Sequence, residues 1–384
     1  MSDLFEKDTM TNVYCTAPWN GLTVKEDGIV RTCCSGRTAL GDLNTTPIND
    51  ILSNRNIIEI KQSLLSSKSH DNCADCEQSE VSGYSSLRQY YLKHYNNIEE
   101  NNLGVLDIRW NNTCNLSCVY CGPNLSSKWA KKIGITNISS KREYSDELVN
   151  FIIDKADTVR EIMLVGGEPL MMKYNHILFD KLPINTQISI ITNLTVDLES
   201  APFIGDLLKR PANKIIWNVS LENTHECFEY IRNGGTWKQI EKNLIFLNRH
   251  WPNSIAFSMV YHVFSALQID KTVNVLLQHV NPKITLLNVM GVEHIDIFKM
   301  PSKIQELAKE KLLLAIRALG NHYGEDAHLY PITNSDHALS VLGDPKKQVT
   351  LESFERCLDY LDRHHTQKCR IIFEDEYKRI KSCL

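Results

Sequence analysis

From residue 104 to about 296, short apolar runs rich in β-branched residues alternate with helical segments, and this alternation leaves few folds open. The runs are Val105–Trp110, Glu161–Val165, Gln187–Thr192, Ile215–Leu221, Ile255–Val263 and Ile284–Met290. Strands that are apolar almost throughout need cover on both faces, which a parallel sheet with crossover helices supplies. The six units predict an α/β fold with a partial (β/α)6 barrel, about three quarters of the closed eight-stranded form. Ligands of such sheets sit at the C-terminal strand ends, so the chemistry should lie there.

The flanks read differently. Residues 1–85 are loop-rich, with strand-like runs Leu22–Lys25 and Ile29–Thr32 around the turn Glu26-Asp27-Gly28. A helix is expected over Ile48–Ser66, because Pro47 suits a first helical turn. The polar stretch from Tyr84 to Leu103 leads into the barrel, and 86–103 serves as a linker. Residues 297–384 are expected to be helical, since Lys303–Leu319 and Leu351–His364 repeat apolar residues near the helical period. The organisation is therefore 1–85, 86–103, 104–296 and 297–384, without internal repeats.

A net charge of −4 gives no overall attraction to nucleic acid or to an anionic membrane. No apolar run approaches the roughly 20 residues of a membrane span, and the N-terminus lacks an export pattern, so a cytoplasmic protein is expected. In that reducing setting the 12 cysteines read as metal or cluster ligands rather than disulfides. They fall into two groups, Cys15, Cys33, Cys34, Cys73 and Cys76, then Cys114, Cys118 and Cys121. Cys227, Cys357, Cys369 and Cys383 are scattered and read as free thiols.

The second group follows the first barrel strand as Cys114-x3-Cys118-x2-Cys121. A cubane iron–sulfur cluster usually takes four thiolates, so three on one loop leave an iron open for a ligand. A structural zinc site would want a fourth ligand, and three buried free cysteines would have no reason to sit at a strand end.

Here the sequence closely resembles the radical S-adenosylmethionine (SAM) superfamily. Tyr120 precedes the last cysteine, as an aromatic usually does in that family, and Gly166-Gly167-Glu168-Pro169 resembles its motif for the methionyl amino group. Thr192-Asn193 closes the third strand and Ser220-Leu221-Glu222 the fourth, followed by Tyr230-Ile231-Arg232-Asn233-Gly234. In the peptide-modifying branch the residues matching Ser220 and Arg232 bind the cofactor carboxylate, and the acid matching Glu222 lies near the ribose. Many relatives have Asp at that position. The resemblance implies Cys114, Cys118 and Cys121 as ligands of a catalytic 4Fe–4S cluster. It implies Tyr120, Gly166, Gly167, Glu168, Thr192, Asn193, Ser220, Glu222 and Arg232 as cofactor-binding residues. The implied chemistry is reductive cleavage of S-adenosyl-L-methionine and hydrogen abstraction by the 5′-deoxyadenosyl radical.

The first cysteine group, Cys15-x12-Gly28-x4-Cys33 and then Cys73-x2-Cys76, resembles the auxiliary-cluster half of SPASM and twitch domains. That resemblance implies Cys15, Cys33, Cys73 and Cys76 as ligands of a second, fully ligated 4Fe–4S cluster. Cys34 is the alternative to Cys33, and a tetrathiolate zinc site is the alternative to the cluster. In most relatives this module follows the barrel, whereas here it precedes it.

Two substrate classes follow. One is a residue of a ribosomally made peptide, to be crosslinked, epimerised or spliced, with a separate peptide-recognition protein where one is needed. The other is a small molecule such as an aminosugar or cofactor precursor, oxidised as twitch enzymes do, and the four-cysteine module favours it. A reductase such as flavodoxin or ferredoxin is the implied electron donor. Glu293 and His294 after the sixth strand carry a weaker signal, His294 being read as surface or packing; Tyr261 and His262 lie near the end of the fifth, where only one can face the barrel interior, and His364-His365 lacks a helical partner for metal binding. Tyr84, Tyr90, Tyr91 and Tyr95 are read the same way.

Overall fold

The computed structural model describes residues 13–81, 85–96, 103–135, 144–289, 291–342 and 349–384. Tyr84, Met290, the first twelve residues and part of the expected linker lie outside the described residues. The fold is mixed α/β with parallel strands, in two compact units, residues 1–112 with 138–189, and 113–137 with 190–384.

In the first unit, strands β1 (Gly21–Val24) and β2 (Ile29–Arg31) form an antiparallel hairpin, to which β3 (Gly41–Asp42) adds. The turn between β1 and β2 holds Gly28 at φ +87°, where a Cβ would also lie 2.6 Å from Asn44 Nδ2. Glycine is thus required twice over, by dihedral and by space. The hairpin is not a separate appendage. Strand β1 pairs in parallel with β4 (Val105–Ile108), the first barrel strand, and β4 pairs in parallel with β5 (Glu161–Leu164). Leu22 stands opposite Leu106 and Val24 opposite Ile108, all essentially inaccessible to solvent. The N-terminal cysteine module therefore shares its sheet and core with the barrel's first strands.

The helix expected over Ile48–Ser66 is instead two helices, Ile48–Leu52 and Arg55–Leu65. Asn54 breaks it, its side chain accepting from Ile57 N to cap the second helix. The apolar pattern continues across the break, which is why periodicity alone misses it.

Strand β6 (Gln187–Thr192) carries the chain from the first unit into the second. There β7 (Ile215–Ser220), β8 (Ile255–Val260) and β9 (Lys283–Leu287) pair in parallel. Burial alternates along β7, while β8 is buried at four of its six positions. Helices span Ser302–Tyr323 and Leu351–His364, the latter opened by a Thr350–Ser353 capping box. One short strand, β10 (Ile332–Thr333), pairs in parallel with β9 inside the region expected to be helical throughout. Two residues are too few to register as a period.

Candidate functional site

In the second unit the cysteine loop is pinned from several sides. Ser117 N donates to Asn233 O and Val119 N to Ile231 O, each at 2.9 Å, fastening the loop to the chain around Arg232. Trp129 Nε1 donates to Cys118 O at 2.7 Å from the helix Ser127–Lys132. Two of the three sulfurs receive donors: Cys114 Sγ from Leu116 N at 3.4 Å and Asn193 Nδ2 at 3.8 Å, Cys118 Sγ from Arg232 Nη1 at 3.9 Å. Burial pushes the Cys118 thiol up, and the Arg232 charge opposes that by favouring thiolate. Three thiols on a rigid, donor-lined loop suit a cluster.

Tyr120, Glu222 and Arg232 meet behind this loop. The Arg232 guanidinium donates to both Glu222 oxygens at 2.8 Å, and Tyr120 Oη donates to Glu222 Oε1 at 2.9 Å. Val260 N at the end of β8 adds a donor to that oxygen at 3.3 Å. Burial works against the Arg232 charge, but the Glu222 carboxylate outweighs it and holds the pKa well above the ordinary value. Glu222 is therefore the buried partner of Arg232 rather than a helix cap. Thr192 Oγ1 accepts from Leu194 N, Asn193 bridges Cys114 and Asn115, and Ser220 ends β7 half-buried.

His262, near the end of β8, packs its ring 5.9 Å from that of Tyr120 and is fully buried. Its Nδ1 accepts from Ser265 N, while Nε2 has no partner. Burial and then Arg232 push its pKa down to about 3, so it is neutral at physiological pH. Tyr261 is buried too. Glu293 and His294 are on the surface, Glu293 paired with Lys299.

Gly166, Gly167 and Glu168 belong to the first unit. Gly166 has φ +78°, and a Cβ there would sit 2.7 Å from Arg109 Cβ, so no side chain fits. Gly167 is also left-handed, and buried Glu168 accepts from Leu170 N at 3.1 Å.

The first unit also gathers the N-terminal cysteines. Cys15, Cys33, Cys73 and Cys76 line one cavity, whereas Cys34 is exposed and stands outside its lining. Cys73 and Cys76 share a face of a helical turn by their spacing of three. Asn72 ties this turn to the hairpin, donating to Thr32 Oγ1 at 3.2 Å and accepting from Thr38 N at 3.1 Å. Ala17 N donates to Cys15 Sγ at 3.4 Å and Asn72 Nδ2 to Cys73 Sγ at 3.9 Å. Burial pushes the Cys15 thiol up to about 12. Among the described residues no three Cys, His, Asp or Glu side chains are grouped to hold a single metal ion. The four cysteines share the lining of one cavity.

Sequence reading missed two other walls of that cavity. The helix Leu87–His94 contributes Arg88 and Tyr91, 6% and 3% exposed. No motif marks them. Tyr90 and Tyr95 both donate to Glu161 Oε2 at 2.6 Å, anchoring this helix and its C-terminal end to β5.

A family model described as the radical SAM superfamily matches residues 108–276, and an iron-sulfur cluster-binding domain model, SPASM, matches 15–77. Among curated proteins, GTP 3',8-cyclase of Desulforamulus reducens is 30% identical over 148 residues, 37% of this chain and 43% of that protein. Among solved structures, "Native anSMEcpe with bound AdoMet" aligns with a TM-score of 0.40 at 16% identity, over 60% of this chain and 62% of that one. Streptococcus suis SuiB bound to S-adenosylmethionine aligns at 0.37 and 16% identity, over 69% and 57%. The chain thus spans less than two thirds of each of these relatives.

Proposed function

The chain belongs to the radical SAM superfamily, and from that membership and its N-terminal iron–sulfur domain we propose a peptide maturase, acting on one residue of a ribosomally made peptide. When bound, the cluster supplies one electron and S-adenosylmethionine the 5′-deoxyadenosyl group that abstracts a hydrogen atom. Cys114, Cys118 and Cys121 are the ligands, leaving one iron open. Arg232 favours the Cys118 thiolate and, held rigidly by Glu222 and Tyr120, offers its Nη1 edge to an anionic group such as the cofactor carboxylate. Ser220 assists with that carboxylate, and Thr192 and Asn193 line the same strand ends. The left-handed backbone at Gly166 and Gly167 lets main chain approach the methionyl amino group, with Glu168 next in line. Buried, neutral His262 packs its ring against that of Tyr120.

Cys15, Cys33, Cys73 and Cys76 hold a second 4Fe–4S cluster, and their convergence on one cavity is the observation that carries this reading. Four thiolates leave no iron open, so its role is electron transfer. A peptide substrate is supported by the SPASM match together with the Ser-x-Glu and Tyr-Ile-Arg-Asn-Gly segments. The similarity to GTP 3',8-cyclase favours a second reading, radical chemistry on a small molecule. Deuterium transfer separates the two. Holoenzyme, S-adenosylmethionine and a strong reductant are incubated with deuterated peptides encoded beside its gene, or with deuterated GTP or aminosugars. Label appearing in 5′-deoxyadenosine from a peptide supports the maturase, and label from a small molecule alone overturns it.

A further inference from the structure

We propose that Arg88 is a positioning residue that sets the reduction potential of the auxiliary cluster, by donating from Nη1 to a sulfur of the group the four cysteines hold. The inference rests on the two-cluster reading above. Arg88 lines the same cavity as Cys15, Cys33, Cys73 and Cys76, and its side chain is 7% exposed. Glu80 occupies one edge of the guanidinium, accepting from Nε at 3.0 Å and also from Nη2. Ser86 donates to the same carboxylate. The remaining nitrogen, Nη1, is buried and has no hydrogen-bond partner.

A buried guanidinium N–H without an acceptor is unusual, because its desolvation goes uncompensated. Glu80 has already fixed the rotamer, so Nη1 cannot swing out to water without breaking a two-pronged ion pair. The acceptors missing from the protein are those a bound cluster brings, sulfide and thiolate sulfur. Zinc held by four thiolates would offer Nη1 only thiolate sulfur and would have no potential to set.

The consequence is electrical. After hydrogen abstraction, the substrate radical must lose one electron and one proton to give an oxidised product. The proton would go to solvent, and a cluster held by the four cysteines would supply the electron acceptor, becoming more negative by one charge. A cation bonded to its sulfur stabilises that state and raises the potential, while Glu80 on the far edge moderates the effect.

Potentials are measured by redox titration followed by electron paramagnetic resonance, in the holoenzyme and in the full chain carrying Cys114→Ala, Cys118→Ala and Cys121→Ala. The pair Arg88→Met with Glu80→Gln removes the donor without leaving a buried carboxylate unpaired. Its auxiliary midpoint should fall by at least about 59 mV, a tenfold change in a one-electron equilibrium. Glu80→Gln alone keeps Arg88 and removes the opposing charge, so its midpoint should rise, which decides the matter even if the pair fails to fold. Midpoints unchanged in folded variants that keep four auxiliary irons overturn the role of Arg88. A wild-type protein without a second cluster overturns the two-cluster reading instead, and iron analysis distinguishes the cases before any titration.

Discussion

Arg232 and Glu222 form a two-pronged ion pair, both bonds 2.8 Å, in which neither side chain is more than 6% exposed. It joins the segment after β7 to the end of the helix His225–Ile231, and Tyr120 brings the cysteine loop into the same network. A buried pair with its remaining positions bonded is tolerated, but either partner alone is not.

Arg232→Ala should therefore destabilise the fold by about 3–5 kcal/mol, the range for breaking a buried pair. Arg232→Met with Glu222→Met should destabilise it less, since no charge is left stranded. In both, affinity for S-adenosylmethionine should drop by about 1.5–3 kcal/mol, the range for a hydrogen bond to a charged group. Denaturant titration and calorimetric cofactor titration separate the two effects. A folded double variant that binds the cofactor normally would make Arg232 purely structural.

Acid should loosen the second unit through His365. Its ring packs against Trp129 and Tyr230, its ring nitrogens make no well-formed hydrogen bond, and burial followed by the Lys132 charge pushes its pKa down to about 3. The unfolded chain binds this proton near pH 6.5 while the folded chain does not, so stability falls as pH drops below 6.5 towards 3. At pH 5.5, one unit below the ordinary value, the loss from this group is about 1.4 kcal/mol. His365→Phe should flatten the pH dependence of the melting temperature between pH 7.5 and 5.5. An identical slope in both proteins contradicts this.

The Gly166 backbone admits no side chain. Gly166→Ala adds a Cβ 2.7 Å from Arg109 Cβ at a left-handed dihedral, and the dihedral alone costs about 1–2 kcal/mol. The melting temperature should fall and cofactor affinity should weaken, measured on the same preparation. Unchanged affinity in a folded variant removes this turn from the cofactor site.

Strands and the two cysteine groups were legible because they rest on local signals, apolar runs and fixed spacings. Gln187–Thr192 and Leu351–His364 have the limits their patterns imply. What escaped has long-range causes. The pairing of β1 with β4 joins residues more than 80 positions apart, and nothing in Gly21–Val24 specifies its partner. Arg88 and Tyr91 sit in a stretch that reads as polar linker, and their place in the cysteine cavity depends on the Tyr90 and Tyr95 anchors to Glu161. His262 was visible as a residue, but its burial against Tyr120 needed the fold. That Cys33 and not Cys34 lines the cavity likewise needed the fold, since adjacent residues on an extended segment face opposite ways.

Cys73→Ala should separate radical generation from product formation. With the auxiliary ligand removed, 5′-deoxyadenosine release should continue while oxidised product disappears. Circular dichroism and iron content on the same variant separate loss of the cluster from loss of the fold. Normal product from a folded variant lacking the second cluster would reduce the module to a structural part.

Counting iron and sulfide tests most directly whether one chain holds two cubane clusters on two separate cysteine sets. Anaerobically reconstituted protein should carry about eight of each, as two cubanes require. The variant with Cys114, Cys118 and Cys121 all changed to Ala should keep about half, and so should one with Cys15, Cys33, Cys73 and Cys76 changed. About four irons and one zinc in the unaltered protein, with the zinc lost on changing the N-terminal cysteines, would contradict it.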